Sequence, residues 1–336
     1  MLPILIYPTY YWDAAIYYTN VNKQGSFMCT AITLSSRSKE QFFGRTMDFS
    51  FDIIPQFFII PNSYTWSSTL NNRQITDTYR FIGLGQKLDG LLGFFDGVNE
   101  KGFAAAVLYF AGYAKYEDEF NHPSKDAIAS IDFLHFILGK CSSVESLPEV
   151  IKNISVVGIE DPITNSVAPL HWIATDRTGA CVVIEATGSG IEIINNPIGV
   201  MANSPDFGWH MTNLRNYMET SPTEMEKTDW DGVTLIPFGQ AGGTRLLPGG
   251  FTSPERFVRV AYLKSHIPTP EDSKEAITAC FHIMESVSIP KGAVKTSRNT
   301  YDYTKYTAFI NTNTCQYFYK AYDDLGVRSI SLWDRD

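Results

Sequence analysis

The sequence predicts an α+β fold built as a sandwich of sheets covered by helices. Three features carry that expectation. Strand-like runs dominate residues 29–110, helical spacings appear through the middle, and three strand-like runs close the chain.

Taken in order, Thr30 to Leu34 is β-rich, and Gln41 to Asp48 reads as its returning strand, with Ser35 to Lys39 as the turn. Phe57 to Ile60 is a strand ended by Pro61. Gly102 to Phe110 is a continuous apolar run, as a buried strand requires. Ile128 to Lys140 carries Ile128, Ile131, Leu134, His135 and Leu138 at helical spacing. Ser142 and Ser143 are expected to cap a second helix, Val144 to Ile154. Leu170 to Thr175 and Cys181 to Ala186 flank the hairpin turn Asp176-Arg177-Thr178-Gly179. Ser204-Pro205-Asp206 opens a helix through Tyr217. Ser253-Pro254-Glu255 opens another through Lys264, with proline at its first position. Pro270-Glu271-Asp272 opens a third, to about Val287. Tyr306 to Asn311, Gln316 to Tyr322 and Arg328 to Trp333 are the closing strands.

The 336 residues are 44% hydrophobic, enough for a sizeable core. A formal charge of −9 argues against nucleic acid and against anionic membrane surfaces as partners. No apolar run reaches the ~18 residues that a spanning helix needs. The 22 Phe and 18 Tyr suit an apolar ligand pocket, and equally a large core. Five widely spaced cysteines with no Cys-x-x-Cys speak against a disulfide framework and a zinc site, and the cytoplasm is the expected compartment. The glycine-rich stretch Gly239 to Gly250 is a loop without the Gly-Lys-Ser/Thr ending of a phosphate loop. No Gly-x-Ser-x-Gly is present, and the six histidines lack metal-binding spacing. Neither a cofactor nor a metal is expected. His171 reads as a core residue or one that supports the site from behind it, rather than a ligand; His210, one turn into a helix after Trp209, could border the pocket, but the preferred reading is a packed surface histidine.

One stretch has distinctive chemistry. In Ser26-Phe27-Met28-Cys29-Thr30 a methionine directly precedes a cysteine that opens a strand. If Cys29 becomes the first residue, it carries a thiol and an α-amine together. The amine titrates near ~8 and the thiol near ~8.5, so a proton passes between them at small cost. That pairing suits an amide hydrolase, in which sulfur attacks and nitrogen moves the proton. A lone strand cysteine reads more simply as a core residue, so other residues must supply the rest of the chemistry.

Pairing of the first two strands would return Arg45 and Asp48 to Cys29. An Arg and an Asp in an apolar strand are costly to bury unpaired, so they form either part of a site or a structural ion pair. Asn203 falls at or near a helix N-cap, where an amide can meet an oxyanion or simply cap the helix. Arg256 and Arg259, three apart on a helix, read by default as a solvated face.

In series, these segments resemble the choloylglycine hydrolase family of N-terminal nucleophile hydrolases, which comprises penicillin V acylases and conjugated bile salt hydrolases. The resemblance rests on Met28-Cys29-Thr30, Gly44-Arg45-Thr46-Met47-Asp48, Asp96-Gly97-Val98-Asn99-Glu100, Leu108-Tyr109-Phe110, Pro169-Leu170-His171-Trp172, Asn203-Ser204-Pro205-Asp206-Phe207, Arg256-Phe257-Val258-Arg259 and Ile289-Pro290-Lys291-Gly292. It covers nearly the whole chain from Cys29 onward.

The resemblance implies a four-layer αββα sandwich of two antiparallel sheets, forming one domain over 29–336, and a homotetramer. It implies Cys29 as nucleophile with its amine as base and Asp48 holding that amine. Arg45 and Arg256 would polarise the thiol and the site, and Asn203 would help form the oxyanion hole. Tyr109 and Met47 would contact a small-molecule amide substrate. The family's acylases carry Tyr at the position of Tyr109 and its bile salt hydrolases usually Asn, so penicillin V acylase is the expected activity. A bile salt hydrolase or an acylase of fatty-acyl signals is the alternative. Residues 1–28 depart from the family. The preferred expectation is that Met28 is the true start and is removed; a cleaved propeptide is a second reading. Retention would bury the amine in a peptide bond and leave a binding protein without catalysis.

Overall fold

The computed structural model describes residues 5–7, 28–88, 90–117 and 126–334. Apart from 5–7 and Met28, the leader therefore lies outside the described residues. Two large sheets form the centre. One runs in the order Leu5–Tyr7, Gln56–Ile60, Phe81–Leu88, Leu91–Asn99, Ala104–Tyr109, Leu170–Thr175, Cys181–Thr187 and Gly190–Asn195. The other runs Val200–Met201, Met28–Ser35, Gln41–Phe49, Tyr301–Asn311, Gln316–Ala321 and Asp324–Ser331, with Val294–Lys295 also paired to Tyr301–Asn311. Neighbouring strands within each sheet are antiparallel.

The first sheet is buried on both faces, and its side chains alternate accordingly. Phe57 and Ile59 point to the layer between the sheets, while Phe58 and Ile60 point to the outer layer. Ala104, Ala106 and Leu108 alternate with Ala105 in the same way. Both faces must be apolar, which explains the unbroken hydrophobic runs in the sequence. Helix Phe133–Lys140 and the short helix Leu147–Ile151 cover the outer face. Helices Ser253–His266 and Ser273–Glu285 cover the second sheet, through Phe257, Val260, Ala276 and Cys280 among others. The result is the αββα sandwich.

Several boundaries differ from expectation. Asp126–Ala129 is a strand paired in parallel with Ile154–Val157, so the helix begins only at Phe133 and the next spans only Leu147–Ile151. Ser146, not Ser142 or Ser143, precedes that second helix. Asp206 rather than Asn203 caps helix Phe207–Asn213, accepting from the Trp209 amide, and a 3₁₀ turn continues it over Leu214–Tyr217. Helix Ser253–His266 starts with a capping box between Thr252 and Glu255.

Candidate active site

The hairpin Met28–Ser35/Gln41–Phe49 sets the site. Its register places Cys29 opposite Met47, Met28 opposite Asp48 and Ala31 opposite Arg45. Gly44 is required by close approach, because a Cβ there would lie 2.0 Å from the Phe309 ring of the adjoining strand.

Arg45 is buried between the sheets. Its Nη2 donates to Cys29 Sγ at 2.7 Å and to Met47 Sδ at 3.0 Å. Its Nη1 donates at 3.0 Å to the Phe95 and Val107 carbonyls of the facing sheet, and its Nε to the Thr46 carbonyl. The guanidinium thus spans both sheets while touching the sulfur. Asp96 Oδ2 lies 3.9 Å from Nη1 and accepts from the Tyr306 hydroxyl at 2.6 Å, while Tyr317 donates to Oδ1. Burial pushes the Asp96 carboxyl up, and Arg45 and the two hydroxyls oppose that shift.

Asn203 faces Cys29 from the loop after Val200–Met201. Its Oδ1 accepts from the Cys29 backbone nitrogen at 2.6 Å and from Arg256 Nη2 at 2.8 Å, while its Nδ2 donates to the Tyr109 carbonyl at 2.9 Å. The amide orientation follows from these partners: two donors fix the oxygen and one carbonyl fixes the nitrogen. One Nδ2 hydrogen is left over for another acceptor.

Arg256 is fully buried, so the solvated-face reading is corrected. Its Nη1 donates to the Cys29 carbonyl at 2.6 Å and to Thr30 Oγ1, and its Nε to the Phe251 carbonyl. Arg259 also turns inward, onto the carbonyls of Ser286, Pro248 and Gly250. Asp48 lies 3.9 Å from Arg256 Nη1 and accepts from Thr304 Oγ1 at 2.5 Å and Thr46 Oγ1 at 3.1 Å. Burial raises the Asp48 carboxyl, against Arg256 and the two hydroxyls. Burial likewise pushes the Cys29 thiol up, and Arg45 pulls it down.

The structure therefore brings Cys29, Arg45, Asp48, Asn203 and Arg256 together. Cys29, Met47 and Tyr109 also line one cavity, whose walls are mostly apolar: Phe49, Phe95, Leu108, Leu134, Ile163, Leu170 and Trp172. Sequence reasoning gave no role to Asp96, Thr46 or Thr304, and it preferred a surface position for His210 over one at the pocket. His210 is a buried residue, not a surface one. Its Nε2 donates to the Asn203 carbonyl at 2.8 Å, its ring stacks 4.5 Å from Phe257, and burial lowers its pKa to about 4. A neutral ring holds Asn203 from behind. The one signal available was its place seven residues after Asn203, at the end of the first helical turn.

The family model for linear amide C–N hydrolases of the choloylglycine hydrolase family matches residues 29–336. The chain belongs to the choloylglycine hydrolase family. Its matched region starts at the cysteine around which the site is built. Among relatives, a bile salt hydrolase/transferase from Clostridium perfringens is 33% identical over 91% of this chain and 92% of its own length. A conjugated bile acid hydrolase from Lactobacillus acidophilus is 31% identical over 91% and 96%. A penicillin V acylase from Pectobacterium atrosepticum is 24% identical over 82% and 73%. Among solved structures, conjugated bile acid hydrolase from Clostridium perfringens superimposes with a TM-score of 0.82 at 31% identity, covering 90% of this chain and 92% of the other. Penicillin V acylase from Agrobacterium tumefaciens gives 0.71 at 22% identity, with coverage of 90% and 86%, and shares the fold. As a member of the choloylglycine hydrolase family the protein is an amide hydrolase.

Proposed function

We propose that the chain, once it begins at Cys29, hydrolyses the amide bond of conjugated bile salts. The observation that carries this reading is the position of Cys29. Its sulfur opens onto an apolar cavity 2.7 Å from Arg45, and its nitrogen lies 2.6 Å from Asn203 Oδ1.

The chemistry follows from those atoms. The free α-amine takes the thiol proton, and Arg45 stabilises the thiolate so formed. Sulfur bonds to the substrate carbonyl carbon, and the carbonyl oxygen becomes an oxyanion. The spare Nδ2 hydrogen of Asn203 donates to that oxyanion. Collapse breaks the carbon–nitrogen bond as the α-ammonium protonates the departing amine. Water then adds to the thioester, releases the acid and restores the thiol. Asp48 balances the α-ammonium, and Arg256 holds the Cys29 carbonyl and Asn203 in place.

The relatives favour a bile salt over penicillin V, since those named for bile salts are the more similar to this chain. That reverses the preference drawn from Tyr109. A single wall residue weighs less than similarity over the whole chain. The test is turnover of glycocholate and penicillin V side by side, with Cys29→Ser as control. Faster glycocholate turnover, abolished by Cys29→Ser, is expected; activity surviving that substitution would rule out the sulfur as nucleophile.

Self-association as a homotetramer remains part of the proposal. The hairpin Thr228–Trp230/Val233–Leu235 and its continuation expose Trp230, Val233, Ile236 and Phe238, an apolar set suited to a second copy. Among the described residues no helix is long and apolar enough to cross a membrane. A cytoplasmic setting is proposed, supported by five buried free cysteines.

A further inference from the structure

We propose that Glu185 is a positioning residue for the hydrolysis: by holding the backbone amide of Phe207 it sets Asn203 against Cys29. This rests on the amide-hydrolase reading above and adds a residue that acts through Asn203 without touching substrate.

Glu185 belongs to strand Cys181–Thr187 of the first sheet, whereas Asn203 follows Val200–Met201 at the edge of the second. Glu185 is 3% exposed, and its Oε1 accepts from the Phe207 nitrogen at 2.9 Å. Phe207 is the first residue of helix Phe207–Asn213. One turn on, the His210 ring donates from Nε2 to the Asn203 carbonyl at 2.8 Å. The His210 amide closes the same turn onto the Asp206 carbonyl at 3.1 Å. The path from Glu185 to Asn203 is therefore one helical turn with a hydrogen bond at each end. Asn203 in turn accepts from the Cys29 nitrogen and from Arg256 through Oδ1.

The bond from Glu185 is not the helix's ordinary cap. Asp206 already fills that role, accepting from the Trp209 amide at 2.9 Å from a place beside it in sequence. Glu185 comes from 22 residues away and from the other sheet. Burying a carboxyl costs free energy unless hydrogen bonds or an opposite charge answer it. Its cross-strand partner His171 lies 3.7 Å off, and burial lowers the His171 pKa, so that ring is neutral at pH 7. A local cap would serve the helix alone at less cost.

What the buried carboxyl supplies is a fixed point. The first sheet also offers the Tyr109 carbonyl to Asn203 Nδ2, at 2.9 Å, and the strand end beyond it offers the Ala111 carbonyl to Ser204 Oγ, at 2.7 Å. With Glu185 on Phe207, the segment 203–207 is tied to that side at its beginning and at its end. A donor to an oxyanion has to be held to within about 0.5 Å of its working position. Releasing the Phe207 end frees the turn that carries His210, and with it the backbone of Asn203.

The test is steady-state turnover of glycocholate, or of penicillin V if that is the amide cleaved. It compares wild type, Glu185→Met, Glu185→Gln, Asn203→Ala and the double variant Glu185→Met/Asn203→Ala. Methionine keeps the volume and removes the acceptor, while glutamine keeps an oxygen for the Phe207 amide. Glu185→Met should lower kcat by about 10- to 100-fold with KM little changed. Glu185→Gln should keep most of kcat, and the double variant should be hardly slower than Asn203→Ala alone. Wild-type kcat in Glu185→Met, a loss carried by KM, no rescue by Glu185→Gln, or losses that multiply fully in the double variant each overturn the inference while leaving hydrolysis intact. If Glu185→Met does not fold, Glu185→Asp, whose shorter side chain withdraws from Phe207, is read by the same criteria. If wild type cleaves neither amide, the proposed function fails instead, and amide hydrogen exchange decides the inference. Faster exchange confined to residues 203–210 in Glu185→Met supports it, and unchanged or uniformly faster exchange contradicts it.

Discussion

The Cys29 backbone nitrogen and Asn203 Oδ1 lie 2.6 Å apart, although 174 residues separate them in sequence. The contact joins the first strand of the matched region to a loop at the edge of the same sheet. The same oxygen receives Arg256, and the same amide reaches the Tyr109 carbonyl on the facing sheet. On the proposed mechanism, Asn203 fixes the nitrogen that handles the proton and stands beside the developing oxyanion. Asn203→Ala is expected to lower kcat for glycocholate by about 100- to 1,000-fold, the usual loss of an oxyanion donor. Steady-state kinetics on folded variant check it, and a change confined to KM would remove Asn203 from the chemistry.

Arg45 and Asp96 form a buried charge pair between the sheets, braced by Tyr306 and Tyr317. Arg45→Ala strands the carboxylate and should destabilise the fold by about 3–5 kcal/mol. Arg45→Met combined with Asp96→Asn should recover a substantial part of that loss. Urea unfolding of the two variants measures it; equal stability of both would mean that the ion pair contributes no coupling.

Asp302 gives a pH dependence with a definite sign. Its folded carboxyl, pushed up to about 7, lies above the ~3.9 of an unfolded aspartate. The folded state thus holds the proton more tightly, and ionisation costs stability as pH rises from about 4 to 7 and fully above that. Asp302→Asn removes this cost. Its gain in Tm over wild type should grow across that window and then level off, whereas a gain that ignores pH would place the effect elsewhere.

Much of this was legible in the sequence, for local reasons. The turn at Ser35 to Lys39 and the two flanking β-rich runs put Arg45 and Asp48 beside Cys29 on local pattern alone, and the register agrees. The segments that misled are those decided by distant partners. Ile128 has helical spacing with Leu134 and Leu138, yet Asp126–Ala129 pairs with Ile154–Val157, a contact that no local period encodes. Arg256 and Arg259 look solvated by spacing, but each meets a ring of carbonyls that only the folded chain assembles. From sequence alone His210 reads as a surface residue, because nothing nearby announces the Phe257 ring that stacks on it.

The exposed hairpin yields a prediction about assembly. Trp230 and Phe238 are 70% and 112% exposed, unusual for side chains of that size. Replacing both with serine should lower the mass seen by sedimentation velocity at micromolar concentration. An unchanged oligomer would move the interface to another face.

The proton-transfer role given to the Cys29 nitrogen requires that it be unbonded to Met28. Intact-mass measurement on protein that is turning over glycocholate tests this most directly. The expected species begins at Cys29. Full turnover by a species still carrying Met28 would contradict an N-terminal nucleophile here.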